Sequence, residues 1–214
     1  NHGLTAEDMV TRVSPVLDEL EQRLPPGHWI EFDGVVKDSA EGQAALQANL
    51  PLCIGLIFVL LVAQFNSYKR PLLIIATIPL VIVGVALGLL IARADFGFMV
   101  LLGIYSLAGI IINNAIVLID RIDIERREAL DNDLNAIIRA CSRRLRPILM
   151  SAITTMLGFL PLIIGHDPLF YGMAAAMAGG LAVGTVMSLG MVPVLYSYFF
   201  GIDTRRQAPQ EQSA

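Results

Sequence analysis

The sequence predicts an all-α polytopic membrane protein: five transmembrane helices preceded by a small soluble α/β piece. Three observations carry this. Of 214 residues, 55% are hydrophobic and 16% charged, with a mean hydropathy of +0.65, whereas a soluble domain carries about a quarter charged residues. The charges are unevenly spread, and five windows (42–68, 71–92, 96–119, 147–166 and 168–202) contain no Asp, Glu, Lys or Arg. Each window reaches or approaches the ~20 apolar residues that cross a hydrocarbon core. Backbone groups in lipid must be satisfied within their own segment, so each window reads as helix. None shows the alternation of a barrel strand.

Residues 1–41 form the soluble lead-in. Thr5 and Asp8 resemble a helix-start cap. Met9, Val13, Val16, Leu17, Leu20 and Leu24 then recur at helical spacing up to the stop at Pro25-Pro26-Gly27. The alternation over 29–33, Trp-Ile-Glu-Phe-Asp, predicts one strand before a turn at Gly34. A helix and a strand are too little to bury a core of their own, so they are expected to dock on something further. With no starting methionine and no leader-like segment, the sequence reads as cut from a longer protein.

Residues 42–202 form the membrane domain, with helices expected near 46–66, 71–92, 97–119, 147–165 and 172–200. Between the third and fourth, Ile124, Leu130, Leu134, Ile137 and Ile138 predict a short amphipathic helix over about 122–143. Gly84 and Gly88, and again Gly180 and Gly184, are spaced for close helix approach. Pro79, Pro161 and Pro193 mark kinks or helix ends. Residues 203–214 read as a disordered tail.

The basic residues of the short loops set the orientation. Lys69 and Arg70 follow the first span, and the 120–146 loop carries seven arginines, at 121, 126, 127, 139, 143, 144 and 146. The loop around His166 has neither Lys nor Arg, and the tail has Arg205 and Arg206. Five spans then place the lead-in outside and the arginine-rich loop and C-terminus inside.

Several classes find no support. A pI near 5.3 with no basic aromatic patch argues against nucleic acid. His2, His28 and His166 lack metal-ligand spacing, and no phosphate-binding loop is present. Cys53 falls in a span and Cys141 in a hydrophilic loop, so they form no disulfide framework. No nucleophile–base arrangement points to an enzyme, and no cofactor is expected.

The polar residues within the spans are the candidate site. Asn113 and Asn114 sit deep in the third, an expensive place for amides without partners. Adjacent positions point about 100° apart, so the pair reaches two neighbours. They serve either as interhelical hydrogen-bonding glue or as part of a polar path, and neither can titrate near neutral pH. Arg143, Arg144 and Arg146 open the fourth span as interface anchors or as site residues. Ser151 and Thr155 share a helix face, with Thr154 beside them. Back-bonding to the preceding turn and a polar water or proton path both fit them.

These stretches are similar to the C-terminal half of RND (resistance-nodulation-division) efflux permeases of the hydrophobe/amphiphile branch. The likeness runs from about Leu4 to Phe200 and rests on several blocks: 65–71 (FNSYKRP), 78–80 (IPL), 96–99 (FGFM), 114–120 (NAIVLID), 144–150 (RLRPILM), 158–161 (GFLP) and 192–196 (VPVLY). The resemblance implies that the spans are helices eight to twelve of a twelve-helix permease and that the lead-in ends its periplasmic porter domain. It implies a homotrimer in the inner membrane of a Gram-negative cell, working with a periplasmic adaptor and an outer-membrane channel. Small amphiphilic substrates would be exported by proton antiport, driven by the proton gradient and two aspartates of helix four. By the same resemblance the proton relay here comprises Asn113, Asn114, Arg144, Ser151 and Thr155. The chain departs from the pattern at Asn113, where the family usually has a lysine, so a salt-bridge switch cannot run through that residue. Weighed against this are a SecD/SecF-like protein-export subunit and a non-functional truncated remnant. A heavy-metal exporter of the same family is a nearer rival, although the eight methionines form no relay-like pair.

Overall fold

The computed structural model describes residues 6–21, 25, 34–128 and 133–201. Seven helices account for nearly all of them: α1 Ala6–Glu21, α2 Val35–Phe65, α3 Lys69–Ile75, α4 Ile78–Ala92, α5 Phe98–Glu128, α6 Asp133–Ile164 and α7 Tyr171–Phe199. No strand occurs among the described residues, and the strand expected over 29–33 lies outside them. Among the described residues, five stretches are long and apolar enough to cross a membrane: Lys37–Phe65, Lys69–Ala92, Phe98–Glu128, Asp133–Ile164 and Tyr171–Phe199. The described residues form an all-α polytopic membrane fold.

Helix bounds depart from the charge-free windows in a consistent way. α2 starts eleven residues before the expected 46 and runs unbroken from the polar lead-in. α5 continues past Asp120 to Glu128, and α6 begins at Asp133. Among the described residues the separate amphipathic helix expected over 122–143 does not appear: 122–128 continue α5 and 133–143 open α6. Charged side chains cost energy inside lipid but do not break a helix outside it, so composition marks the membrane and not the helix end. The second span shows the converse. Thr77 separates α3 from α4, and its hydroxyl donates to the Ile74 carbonyl at 2.6 Å while Pro79 enters the first turn of α4.

α7 is the centre of the bundle, packed against α4, α5 and α6. Its seam with α4 is built from small residues. A Cβ on Gly88 would lie 2.5 Å from the Ala175 carbonyl oxygen, and one on Gly179 2.5 Å from the Gly88 Cα. A Cβ on Gly84 would meet Val183, Gly179 and Gly180 within 2.9 Å. Only glycine lets the two backbones approach this closely. On α7's next side, Gly180 lies against Leu107 and Gly184 against Ile111 of α5.

Two apolar clusters complete the packing. One gathers Val81, Val85, Leu107, Ile111, Ala152 and Leu181. The other joins Leu61 and Phe65 of α2 to Leu73, Ile119, Ile137 and Val192 near the arginine-rich end. α2 contributes little else: Leu61 and Phe65 are the buried residues among its described side chains.

Candidate functional site

The candidate residues lie on α5 and α6, antiparallel neighbours joined by a short connection. Ile119 and Ile122 of α5 share a cluster with Ile137 and Ala140 of α6, and Ile111 shares the other with Ala152. This register places Asn113 between the levels of Arg144 and Ser151. Asn113 and Ser151 are exposed, whereas Asn114, Arg144 and Thr155 are half-buried. Thr155 donates to the Ser151 carbonyl at 2.9 Å and Thr154 to that of Met150 at 2.8 Å, which is the back-bonded arrangement. Among the described residues, Asn113, Asn114 and Arg144 make no side-chain hydrogen bond or ion pair, so no relay is closed within them.

The open face of α5 has a composition unlike its surroundings. Its exposed residues are Ser106, Gly109, Asn113, Asp120, Arg127 and Glu128, none of them apolar apart from the glycine. Ser106, Asn113, Asp120 and Arg127 follow one another at intervals of seven. Seven residues make nearly two turns, so the four side chains form one line along the helix. α4, by contrast, opens Ile82, Val83, Leu87, Leu90 and Ile91, and α7 opens Val186, Met187, Met191 and Val194. The sequence reading isolated Asn113 but missed Ser106 and Asp120; the seven-residue spacing was the available signal.

A second polar assembly closes the arginine-rich end. Tyr196, fully buried on α7, donates to Asp123 Oδ1 at 2.6 Å and accepts from Arg126 Nη1 at 3.0 Å. Arg126 also donates to Asp133 at 2.6 Å, and Arg70 of α3 pairs with Asp123 at 2.9 Å. Arg70 further caps α2 by donating to the Phe65 carbonyl at 2.8 Å. Phe200 stacks on Tyr196 at 4.4 Å, with the cations of Lys69, Arg70 and Arg126 each within 5.9 Å of its ring. Beside this lies Glu125, buried and bonded to Arg121 and Arg143. Of the arginines read as interface anchors, Arg143 is thus drawn to a buried carboxylate, Glu125. Counting only basic residues in the loop concealed that partner.

At the opposite end, Asp167 Oδ1 accepts from the Leu169 and Phe170 amides, both at 2.9 Å, and starts α7. Tyr171 then donates to the Ala92 carbonyl at 2.8 Å and ties α7 to α4. A cavity of about 660 Å³ between α6 and α7 is lined by residues such as Ile138, Cys141, Leu189, Pro193 and Tyr198, and includes none of the candidate residues. Among the described residues no group of three or more His, Cys, Asp or Glu is arranged to hold a metal ion.

Known proteins share this arrangement. The chain is 30% identical over 216 aligned residues to the swarming motility protein SwrC of Bacillus subtilis (strain 168), covering 98% of this chain and 20% of that protein. Two crystal forms of a heavy metal efflux pump resemble it at 25% identity. Form II superposes with a TM-score of 0.70 over 93% of this chain and 20% of the pump, and form I with 0.67 over 91% and 19%. The chain therefore spans about 20% of the length of the relatives it matches. The AcrB/AcrD/AcrF family model matches residues 3–200. With nearly its whole length so matched and five helices fit to cross a membrane, the chain belongs to the AcrB/AcrD/AcrF family of RND-type permeases.

Proposed function

We propose that this chain is the C-terminal membrane part, helices eight to twelve, of an RND efflux transporter driven by the proton gradient. The observation that carries the reading is the open face of α5. On the spanning part of α5 the exposed residues are Ser106, Gly109 and Asn113, in line with Asp120 and Arg127 at the membrane edge. A face with no large apolar side chain is unsuited to lipid and suited to another helix layer or a water-filled path. Transporters built from repeats place their coupling site between halves near the midplane, which is where such a face would lead. Asn113 and Asn114, with Arg144, Ser151 and Thr155 on α6, then orient protons or water against titratable groups carried by the rest of the protein. An amide at Asn113 hydrogen-bonds but carries no charge, so charge compensation would fall to Arg144.

Substrates of this reading are small amphiphilic molecules exchanged for protons. The protein sits in the inner membrane with its N-terminal segment periplasmic and its arginine-rich end cytoplasmic, in keeping with the basic-residue bias of the loops. It works as a homotrimer with a periplasmic adaptor and an outer-membrane channel. A metal-ion cargo is the second reading, favoured by the likeness to the heavy metal efflux pump.

The test is efflux from cells producing the full-length protein with its adaptor. Gradient-dependent expulsion of an amphiphilic dye that survives ATP depletion at fixed gradient supports the reading. Dye retention together with gradient-dependent expulsion of copper or zinc ions transfers it to metal. Loss of neither cargo, from a well-inserted protein, overturns transport.

A further inference from the structure

Away from its open stripe, α5 carries a carboxylate that the proposed relay does not use. Glu125 is charged yet only 4% exposed. Its Oε1 accepts from Arg121 Nη2 and from Arg143 Nη1, each at 2.6 Å, and its Oε2 faces Arg139 Nε at 3.8 Å. One negative charge therefore sits among three guanidiniums, two of them on α6. Carboxylates are buried only when paired, and removing this one leaves like charges crowded between two helices.

The bond reaches the candidate site through the chain. The Arg143 side chain is 58% exposed, yet its tip is drawn across to α5. Arg144 follows it and points about 100° further around α6. Arg144 is half-buried and makes no hydrogen bond or ion pair among the described residues, so nothing of its own fixes its direction there. Pinning Arg143 to α5 constrains the height and azimuth of its neighbour Arg144 on α6.

We propose that Glu125 is a positioning residue for Arg144, acting through the Glu125–Arg143 bond between α5 and α6. The inference rests on the relay reading above. Its test measures maximal gradient-dependent efflux and half-saturating dye concentration in the full-length permease. Glu125→Gln is expected to lower maximal efflux about tenfold at unchanged half-saturation and membrane abundance. In an Arg144→Ala background the same change should cost less than about twofold, because coupled residues are non-additive. A second full tenfold loss in that background overturns positioning through Arg144. Arg143→Gln removes the interhelical bond from a more exposed residue and covers the case in which Glu125→Gln fails to insert. It should lower maximal efflux about threefold, again absorbed by Arg144→Ala. Wild-type efflux from Arg143→Gln and Glu125→Gln beside a crippled Arg144→Ala sinks this inference alone. Full efflux from Arg144→Ala sinks the relay reading and this inference with it.

Discussion

α4 and α5 both expose one face, and the two faces are chemically opposite. α4 presents Ile82, Val83, Leu87, Leu90 and Ile91, a surface that hydrocarbon satisfies. α5 presents Ser106, Gly109, Asn113, Asp120 and Arg127, a surface that hydrocarbon does not. Both helices pack against α7, one through glycines and the other through Leu107 and Ile111, and α5 also packs against α6. Exposure alone therefore says nothing about destiny. The composition of the open face separates a lipid boundary from a surface awaiting protein or water.

Placing the same charge on each face gives the sharpest test. Leu87→Lys sets an ammonium on the α4 boundary, at a cost of ~3 kcal/mol for a mid-helix lysine in lipid. The integrated fraction of the full-length protein should fall severalfold in a membrane-flotation assay. Asn113→Lys should leave integration unchanged, because the α5 face does not meet lipid. Equal integration of the two variants would erase the distinction between the faces.

Next comes the reverse change. Asn113→Leu makes α5's open face more apolar and costs nothing in insertion. If the stripe were only an accident of a lipid-facing helix, efflux would be unaltered. A working polar path should instead lose about tenfold in gradient-dependent efflux, ~1.4 kcal/mol, with abundance unchanged. Efflux and abundance measured on the same cells decide between them.

The five spans were legible because lipid excludes charge, and 71–92 or 168–202 leave no other reading. Their ends were not, because Asp120, Arg121 and Asp123 are compatible with helix once outside the hydrocarbon, and α5 simply continues. Asn113 and Asn114 stood out as an amide pair among aliphatic residues, whereas Asp120 was hidden by its position at the window's edge. Glu125 was illegible for a deeper reason. Its burial depends on where α6 lands, and local sequence shows three nearby arginines without showing which of them turn inward. The α4–α7 seam was half legible: Gly84 and Gly88 show the spacing, but Gly179, which Gly88 meets, belongs to neither spaced pair.

The smallest effect concerns the closed arginine-rich end. Tyr196→Phe keeps the ring that stacks on Phe200 and removes the hydroxyl that bridges Asp123 and Arg126. Asp123 retains Arg70 and Arg126 retains Asp133, so neither charge is left unpaired. Loss of these two hydrogen bonds, whose charged partners each keep another ion pair, should lower stability by about 1 kcal/mol, read as a lower thermal unfolding midpoint in detergent. Efflux, normalised to folded protein, should stay at the wild-type rate. That pattern is the mirror of Asn113→Leu, where efflux falls and stability holds. A Tyr196→Phe variant that is fully stable but transports poorly would place the closed end inside the coupling path, and the division between a working open face and a structural closed end would fail.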